Sequence, residues 1–224
     1  TAPRWVGTAN YAEALADPLV KLALGNTLYM VVIGIPIDQI SAFLFASLLN
    51  LKVHWRNTFR TMYFLPYLMP PVAAALMWSF ILNPRYGLVN SLLSMVGITG
   101  PMWLHSPVWS KPALILMNVW SLGSATLIPM FSAVTLFNVV MSIIGTFQIF
   151  TTPFILAQSQ GGTGGAIRGA PQGSLLFYNI YLYANAFNYL RMGYASALAW
   201  LLFAIIFAFT VLVIRWRMPR QASV

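Results

Sequence analysis

The sequence predicts an all-α protein, a polytopic transmembrane helical bundle of about five spans. Three observations carry that prediction. Hydrophobic residues make up 59% of the 224-residue chain and charged residues only 7%, where globular domains carry roughly 25% charged. Charge-free runs reach 24 residues at 61–84 and 23 residues at 192–214, and about 20 apolar residues suffice for a helix to cross the hydrocarbon core. The basic residues sit at the ends of such runs, as membrane anchors do. Twelve basic residues against three acids give a net charge of +9. They form no stripe that would track phosphates, so nucleic acid is excluded as a partner. Too few charges are present to coat a soluble monomer, and disorder needs low hydrophobicity. The chain has no cysteine, which removes disulfides and thiolate metal sites. It opens with Thr1 and shows no signal-peptide pattern.

The elements follow in chain order. Tyr11 to Leu24 reads as an external helix, with Asp17 as a cap and Pro18 at the first helical position. Asn26 to Leu49 is the first span, carrying Asp38 near its middle. An acid at that depth costs a few kcal/mol on insertion scales, which marks Asp38 as a possible intramembrane polar site. Lys52, Arg56 and Arg60 fill the next connection, and Thr61 to Leu82 is the second span. Asn83 to Gly87 is a turn. Between Lys111 and Arg168 lie 56 uncharged residues, of which Pro112 to Ala157 are long enough for two spans reversing near Pro129. Gln158 to Gly173, rich in Gly, Gln and Ser, reads as a flexible loop. Tyr178 to Arg191, aromatic and weakly amphipathic, is expected along the outer interface. The last span is 192–214, with Gly193, Ala195, Ala197 and Ala199 as small-residue packing seams.

Charge placement fixes the expected topology. The cluster Lys52, Arg56, Arg60 and the cluster Arg215, Arg217, Arg220 should both face the cytoplasm. Five spans put them on one side; four would not. The organisation is then an external segment at 1–25, a transmembrane domain at 26–214 and a cytoplasmic tail at 215–224, with the N-terminus outside.

Chemistry narrows the function. Two histidines and three acids form no catalytic or metal-binding spacing, so an enzyme is not expected. The Gly161–Gly165 stretch lacks the Lys-Ser/Thr of a phosphate loop. The two central spans carry Asn118, Ser121, Ser124, Thr126, Asn138, Ser142, Thr146, Gln148, Thr151 and Thr152, with Trp120, Phe147 and Phe150 interspersed. Amides, hydroxyls and aromatic faces suit neutral, hydroxyl-rich solutes. Taken singly these residues also serve as helix–helix glue.

Several motifs resemble one family throughout their order. Trp5-Val6-Gly7, Asp17-Pro18, Gly25-Asn26-Thr27, Phe64-Leu65-Pro66, Asn83-Pro84-Arg85-Tyr86-Gly87-Leu88-Val89-Asn90, Trp103-Leu104, Phe147-Gln148 and Met192-Gly193-Tyr194 resemble the permease subunits of bacterial ABC sugar importers, of the maltose-transporter type. The resemblance implies a multi-pass subunit of the bacterial inner membrane. It would form half of a sugar path with a second permease subunit, two ATPase subunits and an external sugar-binding protein. ATP would be used by the partners, and this chain would bind no cofactor. Carried over by position, the substrate contacts would be Trp120, Gly123, Phe147, Gln148 and Thr151. In the family a Glu-Ala-Ala coupling loop docks the ATPase between the two central spans. Here Ser121-Leu122-Gly123-Ser124-Ala125 runs straight into Thr126 to Val134, so the resemblance implies that tens of residues, the coupling loop among them, are missing, and that this sequence starts after the family's usual sixth, N-terminal span. A secondary transporter or channel subunit, or a non-transporting assembly protein, are the competing readings; no inverted repeat supports the former.

Overall fold

The computed structural model describes residues 4–50, 56–121 and 132–217. All its regular elements among these residues are helical. In chain order they are α1 (Ala9–Ala16), α2 (Pro18–Tyr29), α3 (Ile35–Asn50), α4 (Arg56–Phe64), α5 (Pro71–Ile81), α6 (Leu88–Met95), α7 (Ser110–Trp120), α8 (Ser132–Phe147), α9 (Thr151–Arg168), α10 (Tyr178–Tyr183) and α11 (Met192–Arg217).

Three continuous stretches are long and apolar enough to cross a membrane: Pro18–Leu48, Leu136–Arg168 and Met192–Arg215. A fourth is broken, with Thr61–Leu68 and Pro71–Ile81 meeting at 105°. The break has a covalent cause. Pro66, Pro70 and Pro71 each lack a backbone N–H, and the residue before a proline avoids the helical region. The third expected span begins as α7, whose 11 residues are too short to cross alone. Its continuation, with the expected reversal near Pro129 and with Gly123, lies outside the described residues.

Asp17 caps α2 as the sequence predicts: its Oδ1 accepts from the Leu19 amide at 2.8 Å, and Pro18 occupies the first turn. The predicted helix Tyr11–Leu24 is corrected, however. It is split at Asp17, and α2 runs through Asn26 into the first span without a break. A wide turn at Met30–Gly34 joins α2 to α3. It precedes Pro36, whose ring would otherwise collide with a carbonyl one turn back.

Two further expectations are corrected. The segment Gln158–Gly173 is not a loop throughout: α9 continues to Arg168, interrupted at Gly161 and Gly162, and ends at Gly169 with φ +64°. A side chain at Gly169 would place its Cβ 2.1 Å from the Leu176 amide nitrogen, so only glycine closes this helix. The segment Tyr178–Arg191 is not a surface segment throughout: Phe187 to Arg191 are exposed, but its first part packs inside. Tyr178, Ile180, Tyr181, Ala184 and Asn185 are buried, and their polar atoms are satisfied inside. The Tyr178 hydroxyl donates to the Leu198 carbonyl at 3.0 Å, and Asn185 Nδ2 donates to the Tyr181 carbonyl at 2.9 Å. An aromatic row with satisfied hydroxyls is as well suited to a core as to a membrane surface.

A polar knot ties three distant parts of the chain. Asn26 Nδ2 donates to the carbonyls of Gly173 and Leu176 at 2.8 and 2.9 Å, and its Oδ1 accepts from Lys111 Nζ at 2.9 Å. Thr27 Oγ1 accepts from the Tyr178 amide, and Ser110 donates to Ser174 at 2.8 Å. Without an aqueous hydrophobic effect between spans, such bonds and close packing hold helices together. Of the predicted small-residue seams, Ala195 and Ala197 are buried, and Gly193 sits against Asn10 of α1; Ala199 is exposed.

Candidate functional site

The break in the second span builds a cavity. Pro66–Met69 and α5 on one side face the last turn of α7 and the start of α9 on the other, enclosing about 240 Å³. Its chemistry comes from Tyr67, Trp78, Asn118, Trp120, Ser121 and Thr152. Trp78 and Trp120 meet edge to face, with ring centroids 5.4 Å apart and planes at 85°. One amide, two aliphatic hydroxyls, a phenol and two indoles offer donors, acceptors and π faces with no formal charge.

Of the predicted contact residues, Trp120 lines this cavity. Thr151 is exposed and adjoins the lining residue Thr152. Gln148 is exposed at the break between α8 and α9, where its carbonyl accepts from Asn179 Nδ2 at 2.8 Å. Phe147 is fully buried and packs on Phe209 with centroids 5.3 Å apart, and it is not part of the lining. Gly123 lies outside the described residues. Tyr67 and Trp78 line the cavity although the polar pattern of the central spans does not point to them. The signal was present in Pro66-Tyr67-Leu68-Met69-Pro70-Pro71, since a broken intramembrane helix is tolerated where it lines a cavity.

Asp38 stands apart from the cavity. It shares the inward face of α3 with Ile35 and Ala42, and its Oδ1 is buried without a hydrogen-bond partner. Its neighbour Gln39 donates to Ser142 of α8 at 3.3 Å.

The two other acids form a cluster that joins the chain's beginning to its last helices. Asp17 Oδ2 accepts from the Tyr194 hydroxyl at 2.8 Å and from the Tyr181 hydroxyl. Burial alone would raise the Asp17 carboxyl, but hydrogen bonds from Tyr181, Tyr194 and the Leu19 and Val20 amides outweigh it and hold the group below its ordinary value. Arg191 Nη2 donates to both Glu13 oxygens at 2.6 and 2.7 Å, and its guanidinium lies over the Tyr194 ring.

No protein-family model matches the chain. It is 30% identical to a probable ABC transporter permease protein, YesP of Bacillus subtilis, over 96% of this chain and 78% of that protein. It is 28% identical to the lactose transport system permease protein LacF of Rhizobium radiobacter, over 89% of this chain and 76% of the relative. The trehalose/maltose transport system permease protein MalF of Thermococcus litoralis is 24% identical over 94% and 79%. A chain of a bacterial ABC transporter that imports the acidic polysaccharide alginate has the same fold, with a TM-score of 0.71 at 18% identity, covering 98% of this chain and 85% of that one. The alignment with YesP spans 250 positions, whereas 96% of 224 residues is about 215, so about 35 positions of that relative face no residue here. The sequence similarity to YesP, together with membrane-length helices and a polar cavity at a broken span, establishes that the chain belongs to the ABC transporter permeases.

Proposed function

We propose that this permease subunit forms half of a sugar path in an importer fed by an external binding protein and driven by ATP. The carrying observation is the uncharged cavity of Trp78, Asn118, Trp120 and Thr152 at the broken span. Its donors and aromatic rings match a neutral polyhydroxylated solute, and relatives with lactose or trehalose/maltose in their names point the same way. The cavity of about 240 Å³ falls below the roughly 300–1,000 Å³ of ordinary small-molecule sites. A second permease subunit supplies the remainder of the wall. Trp120, Gly123, Gln148 and Thr151 contact the solute along its route, whereas Phe147, buried against Phe209, serves packing.

The subunit carries out no chemistry and holds no cofactor; two partner ATPase subunits hydrolyse the ATP. It resides in the bacterial inner membrane with its N-terminal segment outside and Arg56, Arg215 and Arg217 in the cytoplasm, as the basic clusters require. We place the missing segment that docks the ATPase between Gly123 and Ser132, where the two central spans meet without a connecting loop in the sequence; the shortfall against YesP is large enough to include it. Uptake by the assembled transporter, with that segment restored, tests the reading: Gln148→Leu and Asn118→Leu should each lower sugar uptake at unchanged membrane level. If uptake falls only in step with assembly, these side chains are packing elements and the path lies elsewhere.

A further inference from the structure

The helix α6 follows the second span and faces three ways at once. Val89, Asn90 and Leu93 are half-buried and turn towards the protein. Leu88, Leu92 and Met95, at i, i+4 and i+7, form one exposed apolar stripe at 60%, 54% and 80% exposure, continued by Val96 and Ile98. Ser91 and Ser94 occupy the remaining flank, also exposed. A surface helix of a soluble domain buries its apolar stripe; here that stripe is turned outward.

The orientation is locked. Asn90 Oδ1 accepts from Trp103 Nε1 at 2.7 Å, while Asn90 Nδ2 donates to the carbonyls of Pro84 and Pro101 at 3.3 Å each. Gly100 lets the loop approach Asn90: a Cβ there would lie 2.0 Å from Asn90 Oδ1. Trp103 in turn packs edge to face on Trp109. The helix therefore cannot roll to hide Leu92 and Met95.

The surroundings identify what covers the stripe. Exposed Val72, Leu76 and Phe80 run along α5 at i, i+4 and i+8, so an apolar surface leads from the spanning helix to α6. From Tyr86 to Leu104 there is no charged residue, and Arg85 stands at the start of the segment. A helix with one apolar and one hydroxyl flank, beside a span end and near tryptophans, has the features of an interfacial helix. We infer that α6 lies in the plane of the membrane interface, with Leu88, Leu92 and Met95 immersed at the headgroup–acyl boundary and Ser91 and Ser94 in water. It acts as a lateral float that sets how deep the broken second span sits. The aromatic segment from Tyr178 to Arg191, for which the sequence suggests the same placement, is largely packed inside as far as Ala186 and exposed only from Phe187 onward.

The chain has no cysteine, so single spin labels report without background. Leu92→Cys, Met95→Cys, Ser91→Cys and Ser94→Cys are placed at exposed positions of the full chain, assembled with its partner subunits in lipid nanodiscs. At positions 92 and 95, collisions with oxygen should exceed those with water-soluble nickel chelate several-fold; at 91 and 94 the order should reverse. Equal nickel access at all four positions would mean that α6 stands in water, and would overturn the inference. Labels at 92 and 95 shielded from both reagents, always or only after binding protein is added, would mean that a protein covers the stripe, and would also overturn it.

Discussion

Trp120 and Phe147 are both aromatic residues of the central spans, yet the structure gives them different work. Trp120 meets Trp78 at the cavity wall, partly open to it, whereas Phe147 is closed in against Phe209. Trp120→Ala should raise the half-saturating sugar concentration roughly tenfold, the cost of losing one aromatic contact of about 1.4 kcal/mol, with assembly intact. Phe147→Ala should instead lower the thermal stability of the purified subunit, since emptying a buried aromatic site costs about 3 kcal/mol or more. Measured side by side, uptake at several sugar concentrations and thermal unfolding separate the two roles. A Phe147→Ala subunit of normal stability with weakened sugar affinity would place Phe147 in the path.

Among elements, the junction of α1 and α2 with α10 and α11 carries a polar cluster of Asp17, Tyr181, Tyr194, Glu13 and Arg191. The folded Asp17 carboxyl is held below its ordinary value, so the stability it contributes is fully present above the unfolded value, 3.8, and is lost as pH falls through the lower folded value. Asp17→Asn should lower the melting temperature at neutral pH and flatten its decline below about pH 4. An unchanged acid limb in Asp17→Asn would show that other groups govern that decline.

Legibility differed from element to element for physical reasons. The long spans and the Asp17–Pro18 start were readable because charge-free length and capping chemistry are local. The continuation of α9 past Gly161 was not, because a glycine run signals a loop while docking of residues 169–178 on Asn26 and Thr27 favours order. The burial of Tyr178 and Tyr181 was hidden for a similar reason: an aromatic row looks interfacial until its hydroxyls find Leu198 and Asp17. Trp120 was identified from polarity along its helix, whereas Trp78 and Tyr67 enter the cavity only through the bend at Pro66–Pro71.

The whole molecule is a membrane subunit of an ABC transporter. Its topology has a direct check in this cysteine-free background. Cysteine at Thr163 should react with an impermeant thiol reagent in intact cells, while cysteine at Arg56 or Arg217 should react only after lysis. Labelling at 217 in intact cells would overturn the arrangement of spans. Coupling is the larger question, because transmission between an ATPase and the spans needs a rigid element touching both. About 35 positions of YesP have no counterpart here, and the sequence from Gly123 to Ser132 carries no charge and no amphipathic pattern. The decisive measurement is ATP hydrolysis in proteoliposomes containing the partner permease, the ATPase and sugar-loaded binding protein. With a Glu-Ala-Ala segment inserted near Ala125, sugar should stimulate hydrolysis; with the chain as it stands, hydrolysis should stay basal. Stimulation by the chain as it stands, or none by a restored and fully assembled one, would contradict the account.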